Sequence, residues 1–175
     1  GVLTADCVPI ILYDEINKIT HEKFYLCGTM IQISGAHISL DCGNTVESFN
    51  EKKLLTNYKN FNYFDHQGSH FAPHIVTRKI WNNVGGFSEE FNPGIGSDPD
   101  FNMKLWKIGV RLFKGLEKCR VYHFSSISLR KKTWNNGSKT FLKKWGISIK
   151  FFKKYYLKTD TIFDGELKNP IKNHK

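Results

Sequence analysis

The run from Trp81 to His123 constrains this chain most: WNNVGGFSEEFNPG, then GSDPDFNMKLWKIGVRLFKG, then KCRVYH. Gly94, Gly96 and Pro99 crowd one short turn, and only special backbone conformations need that density of Gly and Pro. The turn opens a helix. Ser97 or Asp98 is placed to cap it and Pro99 to take its first position. Phe101, Leu105 and Ile108 then share a face, with Lys104 and Lys107 on others, and Gly109 ends the helix. VRLFKG and CRVYHF read as strands.

The rest of the chain extends the alternation. Residues 5–20 predict a helix with Pro9 near its first turn, and the aromatic, β-branched run over 24–34 predicts a strand. HISLDC reads as a second, short strand. Residues 43–67 suggest a loop or short helices over the core. PHIVTRKIWNNV, 73–84, predicts a helix closed by Gly85-Gly86, a pair suited to a left-handed cap or a close backbone approach. A longer helix is expected from Lys139 to Tyr156, with Phe141, Trp145, Ile149, Phe152 and Tyr156 at helical spacing. The stretch after Lys158 is polar and is expected to trail over the surface. Helices alternating with strands indicate an α/β protein.

Charge and cysteine usage exclude several classes. The chain has 26 Lys+Arg against 16 Asp+Glu, for a net +10, which favours anionic partners: nucleotide phosphates, nucleic acid or an acidic membrane surface. Residues 130–175 hold 13 of those 26 basic residues and three acids, so the charge is skewed to this end. Cys7, Cys27, Cys42 and Cys119 form no CxxC pair, which argues against a zinc site and a disulfide scaffold and for buried free thiols in a reducing compartment. No apolar run approaches the roughly 20 residues a membrane span needs. VPIILY lacks the length and basic flank of a signal peptide.

Three groups of residues bear chemistry, each with a plainer reading beside it. Asp98 is either a helix-terminal acid or a carboxylate held at a turn to deprotonate a hydroxyl in a partly dry cleft. His123 is either a hydrogen-bonded core histidine or a neutral imidazole completing an oxygen-rich divalent metal site, which suits Mn²⁺. RKKTWNNGSK, 130–139, is either a solvated surface turn or a basic loop folding over a diphosphate.

WNNVGGFSEEF, SDPDF and VYHF together resemble the second half of family 2 glycosyltransferases of the GT-A fold. Gly85, Gly86 and Phe87 match that family's GGF turn. Ser97 to Asp100 match its acidic motif, with Ser for the usual Glu, and His123 matches its late metal-binding His. The likeness spans about 24–156. It implies an α/β, GT-A-like fold (a Rossmann-like nucleotide-diphospho-sugar transferase), with residues 1–158 the C-terminal part of that domain and 159–175 a polar basic tail. The family's DxD metal motif and its nucleotide-binding N-terminal half have no counterpart here, so the chain is expected to begin just after them. Gly1 without a Met suits a processed product or an excised fragment.

The resemblance implies an inverting, metal-dependent transferase that moves a sugar from a nucleotide-diphosphate donor to an acceptor hydroxyl of a glycan, lipid-linked or protein acceptor. Asp98 would be the base and His123 a ligand to Mn²⁺ or Mg²⁺. Asp100, Gly85, Gly86 and Trp106 would serve acceptor binding or local geometry, and Arg130 and Lys131 the donor diphosphate. A cytoplasmic location follows, with peripheral membrane contact and self-association both compatible. The rival is a non-catalytic basic module for nucleic acid or an anionic membrane surface, resting on the +10 charge and the Lys-faced helix. No nucleic-acid motif is present, and nucleic acid is not expected as a partner.

Overall fold

The computed structural model describes residues 22–68, 73–124 and 135–170. The helix expected over 5–20 lies outside them. The protein is mixed α/β, built on a five-stranded mixed sheet. Its centre is β1 (Phe24–Gln32), whose first eight residues are all buried. A near-continuous apolar run such as FYLCGTMI is what a strand covered on both faces requires.

β1 pairs in parallel with β5 (Leu112–Tyr122) along one edge. Two short strands divide the other edge. β2 (Ile38–Ser39) runs parallel to Ile31–Gln32, and β4 (His74–Ile75) runs antiparallel to Leu26–Cys27. β3 (His66–Gln67) pairs antiparallel with the far side of β5. The two strands read from VRLFKG and CRVYHF are one strand with an irregularity: Gly28 faces Leu116, and Thr29 faces Arg120. The intervening Glu117–Cys119 leave the ladder, which is why the pattern divides there in sequence.

Alternate residues of β1 supply two cores, as the twofold period of a strand dictates. Tyr25 and Cys27 face a large cluster with Phe101, Leu105, Trp106, Phe113, Phe141, Phe152 and Leu157. Phe24 and Leu26 face a smaller one with Leu112, Leu116 and Cys119. A third cluster gathers Ile31, Ile38, Cys42 and Tyr122 at the far end of β1. Cys27, Cys42 and Cys119 are all buried. Burial pushes the Cys119 thiol up to about 11, so it packs as a small apolar group.

The helices depart from the sequence pattern in instructive places. In the weakly patterned 43–67 region, α1 (Glu51–Asn57) is capped by Asn50, whose side chain accepts from the Lys53 N–H. The expected helix over 73–84 divides: His74–Ile75 join the sheet, and α2 (Arg78–Val84) starts only after Thr77, whose hydroxyl accepts from the Ile80 N–H. α3 (Ser97–Lys107) forms as expected, but Gly96 occupies the cap position, so Pro99 sits third instead of first. The expected 139–156 helix is broken. α4 (Gly137–Trp145) stops at Gly146 (φ 73°), and Ser148 caps a new turn, Ile149–Phe151, that runs into a π-helical stretch, Phe152–Leu157. The apolar stripe is core all the same: Phe141 and Phe152 are fully buried, and Trp145, Ile149 and Tyr156 pack beside them.

The segment after Lys158, expected to trail over the surface, is instead tied to the sheet. The Gln67 N–H donates to Thr161 O and the Phe163 N–H to Asp65 O, both at 2.8 Å, and Leu167 is buried beside Arg111. Leu167 and Phe163 supply the apolar contacts that a composition count conceals.

Candidate functional site

The Gly/Pro turn does what its composition demands. Gly94 and Gly96 both carry positive φ, and the Ser97 hydroxyl donates back to Gly94 O at 2.7 Å. Asp98 is thereby the second residue of α3 and not its cap. Its carboxylate is 38 % exposed and lies at the helix N-terminus, where the helix dipole favours negative charge.

Asp98 Oδ1 stands 3.1 Å from His74 Nε2, and His74 Nδ1 stands 2.7 Å from the Tyr25 hydroxyl. Tyr25 is fully buried. Burial pushes its phenol well above the ordinary range, the nearby Cys27 and Asp98 add to that, and the Asn102 amide beside the hydroxyl opposes it. The phenol keeps its proton and can donate to Nδ1; in that tautomer the ring presents an Nε2–H to the carboxylate. The imidazole is walled by the rings of Tyr25, Phe87 and Phe101, at centroid distances of 5.7, 5.4 and 5.8 Å. Sequence reading missed His74 because its partners are 49 and 24 positions away. Only the pairing of β4 with β1 brings it to them.

Asp100, two residues further, has a different environment. It is fully buried and accepts from Ser88 Oγ (2.7 Å), Trp145 Nε1 (2.8 Å) and Lys144 Nζ (3.0 Å), with Lys104 Nζ at 4.0 Å. It ties α3 to α4 and to the SEEF turn, so of the roles expected for it, local geometry is the one it fills. Desolvation would lower the Lys144 pKa, but its hydrogen bonds to Glu90 and Asp100 outweigh that and raise it.

The other expected site residues are distributed as follows. Gly85 is the left-handed cap of α2, and a Cβ on Gly86 would lie 2.6 Å from the Trp81 ring. Gly86 O accepts from Lys104 Nζ at 2.9 Å. Trp106, expected to serve acceptor binding or local geometry, is buried between Phe113 and Tyr156, with the Arg111 guanidinium 3.9 Å over its ring. It is a core residue because the apolar face of α3 carries it against the sheet. Arg130 and Lys131 lie outside the described residues. The chain re-enters them at Asn135, whose side-chain amide brackets Ile95, accepting from its N–H (3.2 Å) and donating to its carbonyl (3.0 Å). The end of the basic 130–139 loop is thus docked on the Asp98 turn.

His123 ends β5. Its N–H donates to Ile31 O at 2.8 Å, and its Nδ1 donates to Gln32 Oε1 at 2.8 Å. The structure does not bring it to Asp98: His74 pairs with Cys27 of β1, whereas His123 bonds Gln32, about 16 Å further along that strand. Among the described residues, no three His, Cys, Asp or Glu side chains are grouped to hold a metal. A hard cation needs several oxygen ligands, and His123 brings none, so the described donor set does not fit Mn²⁺ or Mg²⁺. A surface depression of about 410 Å³ lies elsewhere, at the β5 irregularity, lined by Tyr63, Phe64, Asp65, Leu116, Glu117 and Lys118. Among the described residues, no helix is long and apolar enough to cross a membrane.

No family model, curated protein or solved structure matches this chain.

Proposed function

We propose that this chain is part of an inverting glycosyltransferase of the GT-A type, with Asp98 as the base that activates an acceptor hydroxyl. The observation that carries the reading is the contrast between two acids two residues apart in the first turn of α3. Asp100 is buried and fully engaged in structure, whereas Asp98 is part-exposed and held at one oxygen, Oδ1, by His74. In the reaction, the acceptor O–H proton passes to Asp98 Oδ2 while the acceptor oxygen bonds to the sugar anomeric carbon. The bond from that carbon to the donor phosphate breaks, and the nucleoside diphosphate leaves with its electron pair. Arg130 and Lys131, which the resemblance assigns to the donor, would neutralise the departing diphosphate. In the full-length protein, Asp98→Asn is expected to lower sugar transfer from UDP- or GDP-sugars by ~10²-fold or more with donor affinity retained. Unchanged turnover would return Asp98 to the role of a helix-terminal acid.

The rival binding module draws on Gly137–Lys158, which carries seven lysines and no acid, with Leu142 half exposed among them. Phosphate-driven nucleic-acid binding would weaken steeply between 50 and 200 mM salt, by about 10³-fold for six contacts. Binding of a nucleotide sugar would show no such slope.

A further inference from the structure

We propose that His74 is the positioning residue for Asp98, holding Oδ1 so that Oδ2 alone is presented to the acceptor; this rests on the glycosyltransferase reading. A carboxylate on a short side chain at the first turn of a helix rotates freely unless something holds it. Here an imidazole N–H holds it, in one tautomer and in one orientation. The Tyr25 hydroxyl dictates the tautomer, because the buried phenol has its proton to give and Nδ1 is the acceptor within 2.7 Å. Ring contacts with Tyr25, Phe87 and Phe101 dictate the orientation, and β4 pairing sets the backbone. Asp98 is thus the outer end of a chain of hydrogen bonds that starts in the core, with Asn102 buried beside its inner end.

The arrangement has a consequence for the proton. When Asp98 takes up the acceptor proton at Oδ2, the Nε2–H bond to Oδ1 persists, so the histidine need not change tautomer or charge. Once the product has left, the proton on Oδ2 departs to solvent through the exposed side of the carboxylate. His74 touches neither sugar nor nucleotide; it acts through Asp98.

The test uses the full-length protein with His74→Phe, His74→Gln, Tyr25→Phe and Asp98→Asn. Phenylalanine fits the aromatic cage but donates no hydrogen bond. His74→Phe is expected to lose ~10-fold or more in kcat, with the donor KM unchanged and the melting temperature held within a few degrees. His74→Gln, whose amide can donate to Oδ1, should recover part of that loss, a recovery that a purely packing role would not produce. Independently of turnover, ¹⁵N spectra of the His74 ring should show a bare Nδ1 and a protonated Nε2. Tyr25→Phe should move the Nδ1 signal, and Asp98→Asn the Nε2 signal. Wild-type kcat in His74→Phe beside an inactive Asp98→Asn would overturn this proposal and leave the glycosyltransferase reading standing. Full activity in Asp98→Asn would overturn that reading, and this proposal with it. Should His74→Phe fail to fold, the ring spectra decide: a proton on Nδ1, or signals indifferent to both neighbouring substitutions, overturns the proposal.

Discussion

Two aspartates in one turn, Asp98 and Asp100, divide exposure and burial between them, and their substitutions should separate accordingly. Asp100 satisfies Ser88, Trp145 and Lys144 from a fully buried position. Asp100→Ala leaves those donors without their acceptor and strands the lysine charge, which is expected to cost about 3 kcal/mol in denaturant unfolding. Asp98→Asn should change stability by less than about 1 kcal/mol, because its carboxylate is part-exposed and only the helix-terminal charge is lost. Comparable losses from both would mean that Asp98 is as structural as its neighbour. From sequence, Asp98 was identifiable by its Gly/Pro frame. His74 was not, since nothing local marks a histidine whose partners arrive through sheet pairing.

Gly146 and Gly115 give the sharpest tests at the scale of an element. Apolar spacing made 139–156 one helix, in which Gly146→Ala would stabilise by about 1 kcal/mol. The structure ends α4 there, with Gly146 in the left-handed region and its N–H donating to Leu142 O at 2.9 Å. Gly146→Ala is therefore expected to destabilise by about 1 kcal/mol, since a Cβ disfavours that conformation even though open space surrounds it. A rise in melting temperature would restore the continuous helix. Gly115 on β5 shows the opposite limit, where space decides. A Cβ there would lie 1.9 Å from His66 Nε2, so Gly115→Ala should cost about 3 kcal/mol or abolish folding.

Across the molecule, two histidines make stability sensitive to acid. The His37 and His66 rings lie 4.4 Å apart between centroids, tilted by 51°, and His66 is buried with no hydrogen-bond partner for Nε2. Burial lowers the His37 pKa from 6.5 to about 4, with His66 adding to the effect, and burial likewise lowers that of His66. The unfolded chain thus takes up protons before the folded one. Stability contributed by the neutral rings is complete above about 6.5 and is lost as pH falls toward 4. Urea midpoints should decline over that window. They should decline less in His37→Asn, whose amide oxygen can still accept from the Met30 N–H that His37 Nδ1 holds at 3.0 Å. Equal slopes for the two proteins would remove His37 from the account.

Local chemistry in the sequence determined the central strand, the helix that follows the acidic turn and the burial of Cys27, Cys42 and Cys119. Each rests on near-neighbour rules: apolar period, turn glycines, cysteine spacing. Tertiary structure alone decided that His74 belongs to a strand and meets Asp98, and that Asp100 is enclosed by α4. It also decided that the chain breaks at Gly146 and that residues 159–170 lie along the sheet. Those outcomes depend on which distant segments share an edge or a core, and hydrogen bonds between strands carry no local sequence signal. A polar tail can hide one Leu and one Phe that find a buried place, and a histidine becomes a positioning group only when the sheet sets a phenol on one side of it and a carboxylate on the other.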